Sequence, residues 1–458
     1  MLDVAIVGGG IAGMGTAWWL GKTAPGQQVK VFESDWQAGG KVRGETGDGT
    51  VFDWGPASFR SGAPALLELI ADLGLSDEIR YARPEARSRY LYVDGSLQAM
   101  PGSPPTLVKT KLLSPAAKLR GLFEPFVARH AGEETVHAFM ARRFGRQVAD
   151  RLADAMVTGI SASNGDEVSV DALFPRWRQL EQEHGSLIRG MMKSMRQAKD
   201  SGAARPPSGQ FSLRGGTQQL VTRLAQSLGS KVQTGTAASG LQRADGHWTV
   251  AFADGTSVNA REIVLAVPAS VSAALLANVA ADAAERLALV EYADVMVHSL
   301  VYDAADLPRP LDGFGLLVGR GERVRALGIV WTSALFPEHS PEGTAHLRVM
   351  SGGRRDPGFL DLDDDTALTA VREDLHHAMG IDKPPREVRA RRVPGAIPQY
   401  TPGHLTRMKE AEAELNTLGG IHLAGDVVAG IAVPACLEHA RALAGRLAST
   451  NPETGAAA

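Results

Sequence analysis

Gly8, Gly10 and Gly13, with Glu33 twenty residues further on, are spaced for one recognisable chemistry. The first glycine permits a tight turn out of a strand. The second lets backbone approach a pyrophosphate, and the third lets the following helix pack closely on the strand. N–H groups at the start of that helix, from Ile11 and Ala12 onward, then face the phosphates, so the anion site is built from backbone. A carboxylate at Glu33, with Ser34 beside it, can accept hydrogen bonds from both hydroxyls of an adenosine ribose and would repel a 2′-phosphate. The spacing therefore predicts an adenine dinucleotide, and by itself leaves nicotinamide and flavin both open.

Those residues need a βαβ unit to hold them, and the surrounding sequence supplies one. Leu2 to Val7 is a short β-branched run suited to a strand buried on both faces. A helix rich in Ala, Trp and Leu follows, and Val29 to Phe32 forms a second strand that ends at Glu33. With 458 residues, 44% hydrophobic and 22% charged, the chain exceeds one compact core, and two or three domains are expected. Its net charge of −3 and pI near 6.5 give no basic field for nucleic acid, so small or apolar partners fit better. A single cysteine, Cys436, excludes an intrachain disulfide and a Cys-clustered zinc site. Adjacent His376 and His377 cannot face one ligand from a helix, so solvent exposure is expected there and no metal. The start MLDVAIVGGG lacks the features of a signal peptide. The richest apolar stretch, Ile263 to Ala284, is broken at Pro268, so a cytoplasmic chain that does not span a membrane is expected.

Three further segments resemble those of flavin oxidases in the amine-oxidase superfamily. They are Ala38-Gly39-Gly40-Lys41-Val42-Arg43, Val51-Phe52-Asp53-Trp54-Gly55-Pro56-Ala57-Ser58-Phe59, and Ile421-His422-Leu423-Ala424-Gly425-Asp426 with Gly430-Ile431-Ala432-Val433-Pro434. The resemblance implies FAD as cofactor. It places Gly39, Gly40 and Lys41 near the pyrophosphate and flavin, and Gly55, Pro56, Ala57 and Ser58 along the isoalloxazine. Gly425 and Asp426 fall at the ribitol, and Val232 at the adenine. Ile431, Ala432 and Val433 open a helix whose N-terminal dipole favours negative charge on the reduced ring.

Because these segments lie at both ends of the chain, the cofactor domain must be discontinuous. The expected fold is α/β and α+β: a Rossmann-like FAD-binding domain from residues 1–62, 205–268 and 396–450, with two insertions. Residues 95–204 form a helical insertion, and 63–94 with 269–395 form a substrate domain on a mixed or antiparallel sheet. Ser201 to Ser208 reads as a linker and 451–458 as a tail. In the helical insertion, Leu112 to Phe126 and Leu187 to Met195 mix apolar residues with Lys118, Arg120, Arg189 and Lys193. A bilayer interface and a solvated basic face both suit that pattern.

Across nearly its whole length the chain resembles the FAD-dependent protoporphyrinogen IX / coproporphyrinogen III oxidases. Ser88-Arg89-Tyr90-Leu91-Tyr92, Asp312-Gly313-Phe314-Gly315-Leu316-Leu317-Val318, Val349-Met350-Ser351-Gly352-Gly353 and Ile397-Pro398-Gln399-Tyr400-Thr401-Pro402-Gly403-His404 carry the likeness. The resemblance implies that Arg89 pairs with a substrate propionate and that Phe314 and Leu317 lie against the pyrrole rings. It places Met350 at the macrocycle or flavin edge, with Thr158, Gly159 and Ile160 lining the flavin side of the cavity. Ser161, Ser163, Ala57, Pro434 and Asp426 depart from the usual pattern. The implied reaction is a six-electron oxidation of porphyrinogen, protoporphyrinogen IX foremost, in haem biosynthesis. O₂ is the acceptor, H₂O₂ the by-product, and no side chain a dedicated acid or base. Hand-over to a ferrochelatase, peripheral contact with the inner face of a membrane, and a monomer or homodimer are implied as well. Two rivals stay open: a flavin oxidase acting on an amine or polyene, and a non-catalytic flavin-binding paralogue. Amine oxidases usually place aromatic residues near the C-terminal flavin segment, and Leu423 to Leu437 contains none.

Overall fold

A computed structural model describes residues 1–200, 209–244 and 246–449. Its first sheet has Leu2–Val7 at the centre, flanked in parallel by Val29–Phe32 and Ser257–Leu265. Ser257–Leu265 is long enough to serve two further neighbours on its other edge. Its first half pairs antiparallel with His247–Phe252, and its second half pairs parallel with Ile421–Leu423 from the far end of the chain. Alternation along the central strand sends Val4 and Ile6 to one face and Ala5 and Val7 to the other, and each face has its own core. The helices Ile11–Thr23 and Val433–Ser449 cover the first face. Small residues let them meet: a Cβ at Gly15 would lie 3.1 Å from Leu437 and 3.4 Å from Ala440.

The second sheet runs in the order Glu387–Pro398, Tyr292–Asp303, Thr344–Gly352, Gly328–Trp331, Gly315–Val318, Arg89–Val93, Ser96–Ala99. Its pairings are antiparallel except Gly315–Val318 with Arg89–Val93. One face buries Met296, Leu300, Ile329, Leu347 and Val349 against the helix Asp364–Met379. Side chains of opposite parity point the other way, toward the nucleotide unit. A helical module between residues 104 and 200 closes on Val136, Phe139, Val157, Val170 and Leu187. Fully buried Arg143 sits there between buried Glu124 and Glu181, with Nη1 3.1 Å from Glu124 and Nε 3.0 Å from Glu181.

Three expected boundaries shift. The helix Pro64–Asp72 was assigned to the substrate side, but it buries Leu66, Leu69 and Ile70 in the nucleotide core. Ala269–Leu276 and Ala281–Ala288, also given to the substrate side, cover the opposite face of the same sheet. Ser96–Ala99 belongs to the second sheet and not to the helical insertion. An amphipathic pattern shows that a segment covers a sheet without showing which sheet it covers. The expected linker at 201–208 and tail at 451–458 lie outside the described residues. No described helix is long and apolar enough to cross a membrane.

Candidate active site

At the end of Leu2–Val7 the chain turns through Gly8 into the helix Ile11–Thr23. A Cβ at Gly8 would sit 2.3 Å from the Ala266 carbonyl oxygen, and one at Gly13 would sit 2.0 Å from the Gly8 oxygen, so both positions are closed to side chains. Gly10 differs. A Cβ there would find no protein atom nearer than Gly40 Cα at 3.9 Å, which leaves open space in front of the helix for a phosphate-bearing ligand. Glu33 is held by protein donors on both oxygens. Gly9 N–H donates to Oε2 at 2.8 Å, and Asp35 N–H and Ser34 Oγ donate to Oε1 at 2.8 and 3.1 Å. Oε2 keeps a second lone pair for a ribose hydroxyl, while both of those on Oε1 are taken.

From this cradle a cavity of about 710 Å³ continues between the two sheets. Gly8, Gly10, Ile11, Ala12, Glu33, Ser34, Gly40, Lys41, Gly55, Pro56, Ala57, Ser58, Gly425, Asp426, Ile431 and Val433 line it, as do Gly159, Ile160, Phe314 and Met350. The lining thus gathers residues from distant parts of the sequence into one space. Gly55 is pinned tightly: a Cβ would lie 1.9 Å from the Lys41 oxygen. Lys41 pairs with Asp426 at 2.7 Å and lies 4.6 Å above the Tyr292 ring, joining the N-terminal glycine loop to the C-terminal segment. Tyr400 donates its hydroxyl to the Asp426 carbonyl oxygen, and burial, reinforced by Asp426, raises both phenols well above their usual range. Burial pushes the Cys436 thiol on the cavity wall up to about 12, so it stays protonated.

Several expected residues lie behind the lining. Gly39 forms a backbone bridge to Gly10, with its N–H donating to the Gly9 oxygen at 2.8 Å. Gly13 packs helix against strand as described above. Ala432 is outside the lining, and its carbonyl accepts from Ala435 and Cys436 N–H at the first turn of the terminal helix. Val232 pairs with Val31 at the sheet edge, while Thr236, Ala237 and Ala238 form the wall next to Glu33. The Thr158 hydroxyl bonds the Asp154 and Ser163 carbonyl oxygens and so turns inward. Leu317 backs Gly159, where a Cβ would come within 2.4 Å of its Cδ2. Arg89 stacks 4.9 Å above Phe314, itself a lining residue.

The departures from the usual pattern are accommodated locally. Ser161 bonds back to the Val157 carbonyl oxygen at 2.9 Å. Ser163 is buried, and the Ser161–Ser163 turn is tied to the second sheet through Gln399 and Arg354. Pro434 occupies the first turn of the helix Val433–Ser449, where a missing N–H costs nothing.

Sequence reasoning missed Arg348. It lines the cavity at 7% exposure, and its Nη2 donates to the Gly55 and Trp54 carbonyl oxygens at 2.6 and 3.3 Å. The signal was available, since Arg348 stands two residues before Met350 on one strand and shares its face. Val295, Val297, Val330 and Val393 complete the apolar floor. Among the described residues there is no group of three or more His, Cys, Asp or Glu placed to hold a metal ion.

The family model for flavin-containing amine oxidoreductases matches residues 11–448. The chain belongs to that family. It is a flavin-dependent oxidoreductase, and the open space before Gly10, beside the Glu33 carboxylate, has room for the phosphate and sugar of such a cofactor. The bovine protoporphyrinogen oxidase is 33% identical over 485 residues, covering 98% of this chain and 99% of the relative. The spinach chloroplastic protoporphyrinogen oxidase 1 is 32% identical, covering 96% and 83%. Coproporphyrinogen III oxidase of Bacillus subtilis is 27% identical, covering 96% of each chain. Among solved structures, one from an Exiguobacterium species matches with a TM-score of 0.85 at 24% identity, covering 98% of this chain and 99% of that one. Cyclohexylamine oxidase from Brevibacterium oxydans matches at 0.72 and 19%, with the same coverage. At these identities the structures show the shared flavin-containing amine oxidoreductase fold alone.

Proposed function

We infer that this flavin-dependent oxidoreductase binds FAD and oxidises a porphyrinogen, protoporphyrinogen IX foremost, to the porphyrin, with O₂ as acceptor and H₂O₂ as by-product. The observation that carries this reading is the single cavity. It runs from the adenine-dinucleotide cradle to an apolar floor of valines, with Phe314 on its wall and Arg89 stacked on that ring. The names of the full-length relatives support the same substrate class.

When bound, FAD supplies the chemistry by accepting hydride and passing electrons to O₂. The chain supplies position and environment. Glu33 and the start of the helix Ile11–Thr23 would hold the adenosine and pyrophosphate. Gly55 and Gly425 would let backbone approach the ring system, and the N-terminal end of Val433–Ser449 would favour negative charge there. Val295, Val297, Val330 and Met350 exclude water from the reacting face, and Phe314 offers an aromatic wall. Arg89 has no carboxylate partner among the described residues, which suits a guanidinium kept for a substrate propionate. No acid or base is assigned to a side chain.

Anaerobic mixing of the yellow holoprotein with protoporphyrinogen IX, coproporphyrinogen III or a panel of amines tests the proposal. Bleaching of the flavin by a porphyrinogen within seconds is expected. Bleaching by amines alone would refute it, and so would no bleaching by any donor.

The helical module exposes Leu119, Leu122, Phe123, Phe126, Met191 and Met195, with Arg189 above the Phe126 ring at 5.8 Å. Lys118 and Arg120, read earlier as part of a basic face, donate instead to carbonyl oxygens of Val108, Thr110, Arg142 and Arg143. This apolar surface supports peripheral attachment to a bilayer. Flotation with liposomes, lost when Phe123 and Phe126 become serine, checks it.

A further inference from the structure

The second sheet places two arginines at the ends of one row. Arg348 is opposite Val330, Val330 is opposite Gly315, and Gly315 is opposite Arg89. Residues directly opposite one another across strands share a face. The intervening parity confirms which face: Leu316, Ile329 and Val349 all point into the core beneath the sheet. Arg348 and Arg89 therefore rise on the cavity side, three strand spacings or about 14 Å apart at their Cα atoms. Between them lie only Val330 and Gly315. The latter is held to glycine because a Cβ would come within 2.1 Å of the Ile329 oxygen, so the floor between the two cations is flat and apolar.

Neither guanidinium forms an ion pair with a carboxylate among the described residues. Arg89 stacks on Phe314. Arg348 spends Nη2 on the Gly55 and Trp54 carbonyl oxygens, its Nε is buried without a partner, and Nη1 has no protein acceptor. Asp53, the carboxylate that acts on its charge, stays out of ion-pair reach and spends Oδ1 on Thr217, so a cation more than nine-tenths buried is left one terminal nitrogen short of partners, a place that suits a further anion.

We propose that Arg348 is a second carboxylate-binding residue, set at the opposite edge of the substrate floor from Arg89, and that the site thereby also takes porphyrinogens with acid side chains on both edges of the ring. A tetracarboxylate of the coproporphyrinogen type would engage both arginines. A dicarboxylate with both acids on one edge would engage Arg89 alone. The inference rests on the porphyrinogen reading and assigns the feature of the substrate that the inner end of the cavity recognises.

The test uses Arg348→Gln, which removes the charge while keeping an amide donor for the Gly55 carbonyl, and Arg348→Lys, which restores a charge. KM and kcat are measured on the holoproteins with the tetracarboxylate and the dicarboxylate porphyrinogen. Equilibrium binding of the corresponding oxidised porphyrins is measured by fluorescence quenching, and flavin content is recorded for each protein. Losing a charge-assisted bond predicts that Arg348→Gln raises KM and Kd for the tetracarboxylate by about tenfold or more. The dicarboxylate should change far less, flavin content should hold, and Arg348→Lys should recover part of the loss. Equal losses for both ligands, or a loss of flavin alone, would overturn the proposal and leave Arg348 as a clamp on the Gly55 turn. Wild-type protein that turns over neither porphyrinogen would refute the activity, while Arg348-dependent porphyrin binding would still decide the carboxylate site.

Discussion

Replacing Asp53 by asparagine measures what it costs to keep a carboxylate beneath the Trp54–Gly55 turn. Asp53 is 3% exposed and accepts hydrogen bonds from Thr217 N–H and Oγ1, both at 2.9 Å. Burial raises its carboxyl from an ordinary 3.8 to about 6, outweighing the Thr217 bonds and the nearby Arg348 charge that pull it down. A folded-state value above the unfolded one means that the folded protein binds the proton more tightly. The stabilisation from that proton is complete below pH 3.8 and is lost as pH rises through 6. The whole span corresponds to about 3 kcal/mol, and about half of it falls between about pH 5 and about pH 8. Asparagine keeps the acceptor for Thr217 and cannot ionise. The stability of Asp53→Asn relative to wild type should therefore improve by about 1.4 kcal/mol between about pH 5 and about pH 8. Urea unfolding of both proteins at the two pH values gives this double difference. It cancels the opposing contributions of His346, His298 and His404, which burial holds neutral at about 3, 4 and 4. A relative stability that is flat across that range would refute the reasoning.

Three other outcomes follow from single contacts. Gly55→Ala forces a Cβ to within 1.9 Å of the Lys41 oxygen, and should cost about 1–3 kcal/mol; a lowered flavin-to-protein ratio together with a lowered Tm is the check. Arg143→Ala leaves Glu124 buried without its counter-ion, while Glu181 keeps Arg142 and Arg178, and about 3–5 kcal/mol of stability should be lost in urea titration; a loss below about 1 kcal/mol would contradict the assigned network. Arg89→Ala should raise KM for a porphyrinogen by about tenfold with flavin content unchanged, and loss of flavin instead would place Arg89 at the cofactor.

What could be read from the residues alone was local chemistry. Gly8, Gly13 and Glu33 were legible because each answers a constraint set by its immediate neighbours: a turn, a helix packed on a strand, and an acid at a strand end. The apolar parity of Leu2–Val7 likewise declared a strand buried on both faces. Arg348 was legible only as a residue on the Met350 face of one strand. Its meaning comes from standing opposite Val330, and Val330 opposite Gly315, a register fixed only when four strands from distant parts of the chain are assembled. Leu317 illustrates the converse. It has the right parity to face the cavity, yet Gly159 lies against it from the helical module, so its side chain fills the space behind a glycine. The helices Pro64–Asp72 and Ala269–Leu276 were misassigned for a similar reason, since each pattern fits either sheet and packing chose the nucleotide one.

The Gly55 turn shows how a discontinuous cofactor domain and an inserted sheet act as one site. Lys41 from the N-terminal glycine loop presses its carbonyl against Gly55 and reaches Asp426 in the C-terminal segment. Thr217, from the middle of the chain, bonds both Asp53 and the Pro56 carbonyl oxygen, at 2.9 and 2.6 Å. Arg348 grips the same turn from the substrate sheet. Four segments separated by hundreds of residues thus fix one backbone stretch on the cavity wall. On the proposed reading, the Arg348 guanidinium would couple the substrate floor to the Gly55 turn, because Gly55 has no room to yield toward Lys41. A hydride transfer that depends on the distance between two ligands needs that rigidity. A turn fixed from both sheets would supply it if both ligands rest against that turn.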